Sequence, residues 1–176
     1  MFLSRFFFTL TFLFLVSTTI NAHGPSRQKV SEKIQINAES TKVWEIVKNF
    51  KNFRWNSDIS NCSAKENTVG SERLIEFSNG SKVKQKLEKI DDNKMIIGWR
   101  VVETDNKMLP VNSYAAKVFV KKNDDKTTVI NYKAGFYRGF MGNDPPEELN
   151  DENSKKKVQE FIKKSLKGLK EIAEKN

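Results

Sequence analysis

Val30-Ser31-Glu32-Lys33-Ile34-Gln35-Ile36-Asn37-Ala38-Glu39-Ser40-Thr41-Lys42-Val43-Trp44-Glu45-Ile46-Val47 changes its hydrophobic period halfway along. In the first half Val30, Glu32, Ile34 and Ile36 alternate with Ser31, Lys33 and Gln35, the period of two expected of a half-buried strand. In the second half Val43, Trp44 and Val47 share one helical face, and Asn37 stands where a helix cap would. A strand therefore feeds a helix. Phe50, Phe53 and Trp55 follow closely enough to extend this aromatic content into a second short helix.

Downstream, turn signals recur at short intervals. Asn79-Gly80 separates Glu72 to Phe77 from Lys82 to Ile90, Asp91-Asp92-Asn93 precedes Lys94 to Glu103, and Asn123-Asp124-Asp125 precedes Lys126 to Tyr137. Between them the chain is rich in branched and aromatic residues, as in Met95-Ile96-Ile97-Gly98-Trp99 and Tyr114 to Val120, which reads as an antiparallel meander. The period switches again after Pro145-Pro146-Glu147-Glu148. Val158, Phe161, Ile162, Leu166, Leu169 and Ile172 recur at steps of three and four, with Lys156, Lys163, Lys167 and Lys170 opposite. Acids gather before or early in this helix and lysines follow, the order the helix dipole favours. The expected fold is α+β: a curved antiparallel sheet of about seven strands gripping a long C-terminal helix, with two short helices after strand 1. The gap between sheet and helix is expected to be an internal apolar cavity.

The 176 residues are 38% hydrophobic and 30% charged, which suits one soluble domain rather than a disordered or many-spanning chain. A single histidine and a single cysteine leave no ligand set for zinc or iron–sulfur clusters, no disulfide and no redox pair. No metal or other cofactor is called for, and a serine or cysteine triad would lack a placed base. Residues 1–22 begin with Arg5, run through an apolar stretch from Phe6 to Val16, and end in small or polar residues up to Ala22. That is a signal-peptide layout, too short for the roughly 20 apolar residues of a membrane span. Export to a secreted or periplasmic location with cleavage near Ala22 is expected, leaving a single domain over 23–176; a retained anchor is the alternative. Ile20 is larger than the small residue preferred three positions before a cut. Cleavage would leave His23 at the terminus, but a copper brace would need a second histidine. Cys62 reads as an inert thiol.

Lysine and arginine number 31 against 22 acids, a net charge of +9. The last helix carries Lys155, Lys156, Lys157, Lys163, Lys164, Lys167 and Lys170 against a single Glu160 by sequence. No recognition motif or stacking aromatic accompanies them, so nucleic acid is not the expected partner. A solvated face is the plain reading, and weak contact with an anionic membrane surface is the other.

The run Ile36 to Val47, with Asn49-Phe50 and Asn52-Phe53-Arg54-Trp55, resembles the opening of the polyketide cyclase/dehydrase branch of the START-like (SRPBCC, birch-pollen-allergen-like) superfamily. Gly70-Ser71-Glu72-Arg73, Asn79-Gly80, Leu109-Pro110-Val111 with Tyr114, and Pro146-Glu147-Glu148-Leu149 continue the resemblance over nearly the whole chain after residue 22. It implies the helix-grip fold and a range of roles from lipid carriage to aromatic-ring cyclisation. Two departures bear on chemistry. Members often carry an acid where this chain has Gln85, and a tryptophan where it has Tyr132. The tryptophan-to-proline step after the second helix is also absent, since Asn56-Ser57 follow Trp55.

Alternation along the strands gives one consistent inward set: Arg73, Ile75 and Phe77; Val83, Gln85 and Leu87; Trp99; Tyr114, Ala116 and Val118; Ile130, Tyr132 and Phe136. Of these, Arg73, Phe77, Gln85, Trp99, Tyr114, Ala116, Tyr132 and Phe136 are the candidate ligand-binding residues, apolar walls with a few polar tips. An inward Arg73 needs a carboxylate, phosphate or carbonyl partner; the opposite strand phase would place it outside. Tyr114 and Tyr132 either donate to a ligand carbonyl or satisfy one another within the protein. Trp44, Phe50 and Phe53 read as core. Ser165, on the apolar stripe of the last helix, either admits a neighbouring side chain or leaves space. Three functions follow: a secreted binder of an apolar small molecule or lipid; a cyclase- or dehydrase-type enzyme using Arg73 and a tyrosine; or a module acting on anionic surfaces through the lysine face. No catalytic residue is assigned, and the oligomeric state is not legible.

Overall fold

The computed structural model describes residues 24–175; the expected signal segment, its cleavage point and His23 lie outside the described residues. In chain order the elements are β1 (Gln28–Ile36), α1 (Ser40–Val47), β2 (Ile59–Ala64), β3 (Glu72–Phe77), β4 (Lys82–Asp91), β5 (Ile96–Thr104), β6 (Val111–Lys122), β7 (Thr128–Arg138), a 3-10 turn at Glu147–Leu149 and α2 (Asp151–Ala173). The seven strands form one antiparallel sheet in the order β1-β7-β6-β5-β4-β3-β2. Register shifts at Ile59/Asn61, Lys84/Gln85, Leu87/Lys89 and Asn112/Ala115 mark bulges, which bend strands and increase their twist. Gly80 at φ +83 makes the β3–β4 turn that Asn79-Gly80 announced.

α2 lies across the concave face of this sheet, chiefly against β1 and β7. Asn150 caps it by accepting from the Asn153 amide (2.8 Å), with Asp151 and Glu152 in the first turn and Lys170 in the last. Ser154, Val158, Phe161, Ile162, Ser165, Leu166, Leu169 and Ala173 face inward. Ile172, expected on this stripe, is 40% exposed. At 3.6 residues per turn the stripe that holds 162, 166 and 169 next reaches 173, and 172 falls about 100° away.

Three other expectations change. α1 begins at Ser40 without a side-chain cap, and the Asn37 amide donates instead to Glu174 Oε1 at 2.7 Å. The second short helix is absent: residues 48–58 form successive turns. Asn49, Asn52 and Asn56 each accept through Oδ1 from the amide two residues on, at 3.2, 3.1 and 3.0 Å, and such local bonds compete with helix. Strand β2, Ile-Ser-Asn-Cys-Ser-Ala, was not placed from sequence because it lacks apolar alternation; it pairs with β3 at the sheet edge.

Candidate functional site

The period-of-two reading of β3 and β4 holds: Arg73, Ile75, Phe77, Val83, Gln85 and Leu87 all point into the grip and are buried. Trp99, Tyr114, Ala116, Val118, Ile130, Tyr132 and Phe136 join them from β5, β6 and β7. The space between sheet and helix, expected as a cavity, is occupied by these side chains together with Phe50, Phe53, Trp55 and Phe161. The clefts around it open at the surface. One of 270 Å³, beside Asp58, Met108 and Lys164, has Phe161 in its wall, and that ring meets Phe53 at 6.1 Å and Phe77 at 6.2 Å.

Arg73 is 2% exposed. Register makes Gln85 its cross-strand neighbour, and Arg73 Nε donates to Gln85 Oε1 at 2.8 Å. Arg73 Nη1 donates to the Phe50 carbonyl at 3.2 Å. The guanidinium carbon lies 4.2, 4.3 and 4.8 Å from the ring centroids of Phe50, Phe53 and Trp99, an aromatic cage on a cation. Among the described residues Arg73 Nη2 has no acceptor, and neither has Trp99 Nε1 on the ring the guanidinium contacts. No Asp, Glu or His is buried among the described residues. Desolvation pulls the guanidinium down to about 10, and the ionisable neighbours acting on it are Cys62, Tyr132 and Tyr114 rather than a carboxylate. The protein thus supplies two of the carbonyl-type partners that a buried arginine needs and leaves one nitrogen over.

Beside the cage, Tyr114 and Tyr132 share a hydroxyl–hydroxyl contact of 3.2 Å. Burial raises both phenols, with the neighbouring phenol adding to the rise at Tyr114. The Tyr132 ring meets Trp99 edge-on at 5.6 Å, Phe136 stacks on Tyr114 at 6.1 Å, and Ala116 is the cross-strand neighbour of Trp99. Arg73, Gln85, Trp99, Tyr114, Ala116, Tyr132 and Phe136 therefore form one contiguous surface, while Phe77 is placed against Phe161 of α2. Groups for proton transfer at neutral pH are missing from it, because a useful acid or base titrates near the working pH and these phenols do not.

Phe50, Phe53 and Ser165 differ from the sequence expectation. Phe50 and Phe53, taken as core, are also the lid of the arginine cage. The gap at Ser165 is filled by a loop side chain: Asn56 Nδ2 donates to Ser165 Oγ (3.0 Å) and to the Phe161 carbonyl (3.2 Å). Next to it, a Cβ at Gly168 would stand 1.8 Å from the Trp55 carbonyl oxygen, so the 48–58 segment and α2 touch backbone to backbone. The interleaving of Asn49, Asn52 and Asn56 with Phe50, Phe53 and Trp55 was the available sign of a turn-rich, inward-facing segment. Cys62 is a free, half-buried thiol.

A seven-stranded antiparallel sheet gripping a C-terminal helix, with polar tips set among inward aromatics, is the helix-grip architecture of START-like proteins. Residues 27–174 match the family described as polyketide cyclase / dehydrase and lipid transport, and the chain belongs to that family. Among solved structures it is similar to an uncharacterised protein of Bacillus thuringiensis, with TM-score 0.69 and 18% identity over 82% of this chain and 98% of that one. It is similar to the Zhui aromatase/cyclase of Streptomyces sp. R1128, with TM-score 0.68 and 14% identity over 85% and 94%. It also resembles norcoclaurine synthase of Thalictrum flavum, with TM-score 0.62 and 12% identity over 85% and 96%. At these identities the likeness is one of fold. No protein among the curated ones matches the sequence.

Proposed function

We propose that this is an exported, secreted or periplasmic, carrier or sequestering protein for an apolar small molecule or lipid. The ligand's carboxylate or carbonyl head meets Arg73, and its body lies between the sheet and α2. The observation that carries this reading is Arg73 Nη2, a buried cationic donor with no acceptor among the described residues. An orphaned charged donor costs more than a neutral one, and such a group persists where something outside the chain completes it. The family's description, polyketide cyclase / dehydrase and lipid transport, supports the same class of ligand.

The site is closed in this conformation, and the energetics say what must open it. Moving the 48–58 segment outward exposes Phe50, Phe53 and Trp55, at about 1.5–3 kcal/mol per large apolar side chain. Only a ligand that returns a comparable apolar area offsets that cost, so a small polar metabolite does not fit. The ligand's oxygens would complete Arg73 Nη2 and take over Nη1 from the Phe50 carbonyl as the segment swings. Tryptophan emission should change on binding, since Trp55 and Trp99 both sit on the moving contact.

The test is binding by Arg73→Met, which keeps volume and removes the donor fork. Affinity for a carboxylate- or ketone-bearing naphthalene should fall about 10- to 150-fold, equivalent to the roughly 1.5–3 kcal/mol of a hydrogen bond to a charged group. Affinity for naphthalene itself should be unchanged. Failure of the native-sequence protein to bind any of the three would sink the reading, as would equal binding of all three by both proteins. The rival, a cyclase- or dehydrase-type enzyme using the protonated Tyr114–Tyr132 pair as donor, predicts turnover that falls far more than binding. Recovery of uncleaved Met1 from the native host would remove the exported location.

A further inference from the structure

The convex face of the sheet, opposite α2 and independent of what the concave face holds, carries an unneutralised cationic surface. β1 presents Lys29 and Lys33 outward, β6 Lys117 and Lys121, and β7 Lys133. These three neighbouring strands contain one carboxylate, Glu32, which is turned the other way and accepts from Gln159 of α2 at 2.6 Å. Lys117 and Lys133 are directly opposite in the ladder, an arrangement that destabilises a sheet. Beside them Gly98, Ala115 and Gly135 form a low floor. Lys29 pairs across to Gly135, and Lys117 across to Gly98. The groove over Ala115 and Gly135 measures 390 Å³, and the one carboxylate in its wall, Glu88 of β4, is paired with Arg100. Its ends are cation–ring contacts, Arg27 over Tyr137 (5.8 Å) and Lys133 over Phe119 (5.5 Å).

None of Arg27, Lys29, Lys33, Lys117, Lys121 and Lys133 makes an ion pair among the described residues. Elsewhere part of the surface neutralises itself. On β4 and β5, Lys84 meets Glu103 (2.8 Å) and Arg100 meets Glu88 (3.4 Å). On α2, the face that the sequence marked as unpaired, Lys157 meets Glu160, Lys164 meets Asp58, Lys167 meets Glu171 and Lys170 meets Glu174. Four of the α2 lysines are paired in this way and Lys155, Lys156 and Lys163 are not, whereas none of the outward lysines Lys29, Lys33, Lys117, Lys121 and Lys133 of the three adjoining strands is paired among the described residues.

We propose that this convex face docks the protein on an anionic lipid bilayer. Charge complementarity selects a negative partner. The form of the surface selects a bilayer over an acidic peptide: three adjacent strands about 5 Å apart spread the lysines over an area, and the groove among them is open to the surface rather than an enclosed pocket that would fix a side-chain sequence. Small residues leave room for the cationic side chains to lie along the sheet, the Lys117 stem over Gly98 and the Arg27 guanidinium over Gly135, with their charged ends free to reach headgroups. Docking by this face leaves α2, the 48–58 segment and the cleft beside Phe161 free.

Every element among the described residues lies within 28–173, so the test uses protein lacking residues 1–22. Sedimentation with phosphatidylcholine vesicles, with and without phosphatidylglycerol, should show binding only to the anionic ones, released at high salt. Each lysine near an anionic leaflet is worth about five-fold in affinity, so Lys117→Gln with Lys133→Gln should lose about 20-fold or more. Lys29→Gln with Lys33→Gln should lose a similar factor, which guards against a fold effect in the first pair. Removing two exposed α2 charges with Lys156→Gln and Lys163→Gln should change binding less than two-fold. Equal binding to both vesicle types overturns the proposal, and so does an equal loss from the α2 variant. Tight binding of soluble polyglutamate with none to vesicles does the same and makes the partner an acidic polypeptide.

Discussion

Replacing Arg73 by methionine together with Gln85 by leucine should make this protein more stable and a poorer binder. Burial lowers the guanidinium to about 10, below the range in which free arginine titrates. For a cation, a folded-state value below the unfolded one means that the unfolded chain binds the proton more tightly. The resulting cost is present throughout the range below about pH 10 and disappears only at more alkaline pH. At about 1.4 kcal/mol per pH unit, the charge costs the fold about 3 kcal/mol at neutral pH. The double replacement removes that cost and takes away Gln85 Oε1, which would otherwise be left without its donor. Against the gain stands the Phe50 carbonyl, orphaned at about 1 kcal/mol. The three cation–ring contacts are lost too, though methionine replaces part of them with sulfur–aromatic contact. The net expectation is a gain of about 1–2 kcal/mol, or a rise of about 3–6 °C in Tm for a domain of this size. Urea and thermal unfolding followed by far-UV circular dichroism measure it. A loss of more than about 1 kcal/mol would show that Arg73 is retained to hold the fold, and the ligand reading would lose its physical basis.

Gly168→Ala should destabilise by about 2 kcal/mol or more, because its Cβ would fall 1.8 Å from the Trp55 carbonyl oxygen and the backbone of either partner must move. Unfolding within about 0.5 kcal/mol of the native sequence would mean that the 48–58 segment yields freely, contrary to the closed packing described above. Tyr114→Phe and Tyr132→Phe should each cost about 1–3 kcal/mol by stranding the other buried hydroxyl. The double replacement should cost less than the sum, and additivity in that cycle would show that the 3.2 Å contact carries no coupling.

The inward phase of β3 through β7 and the length of α2 were legible in the sequence because both are local properties. A period of two or of 3.6 decides which side chains share a face before any partner is known. That placed Arg73, Gln85, Trp99, Tyr114, Ala116, Tyr132 and Phe136 on one face. Ile172 and the second short helix escaped because each depends on an angular offset or a side-chain bond that outweighs periodicity. What Arg73 touches came only from the tertiary structure. The Phe50 carbonyl lies 23 residues away in sequence and Ser165 lies 109 from Asn56, contacts that follow from how the 48–58 segment crosses beneath α2. Charge followed the same division. A count of lysines marked α2 as unpaired, yet Asp58, 106 residues from Lys164, neutralises part of it. The register of β6 on β7 instead sets Lys117 against Lys133, because cross-strand pairing is a property of two strands and neither one states it alone.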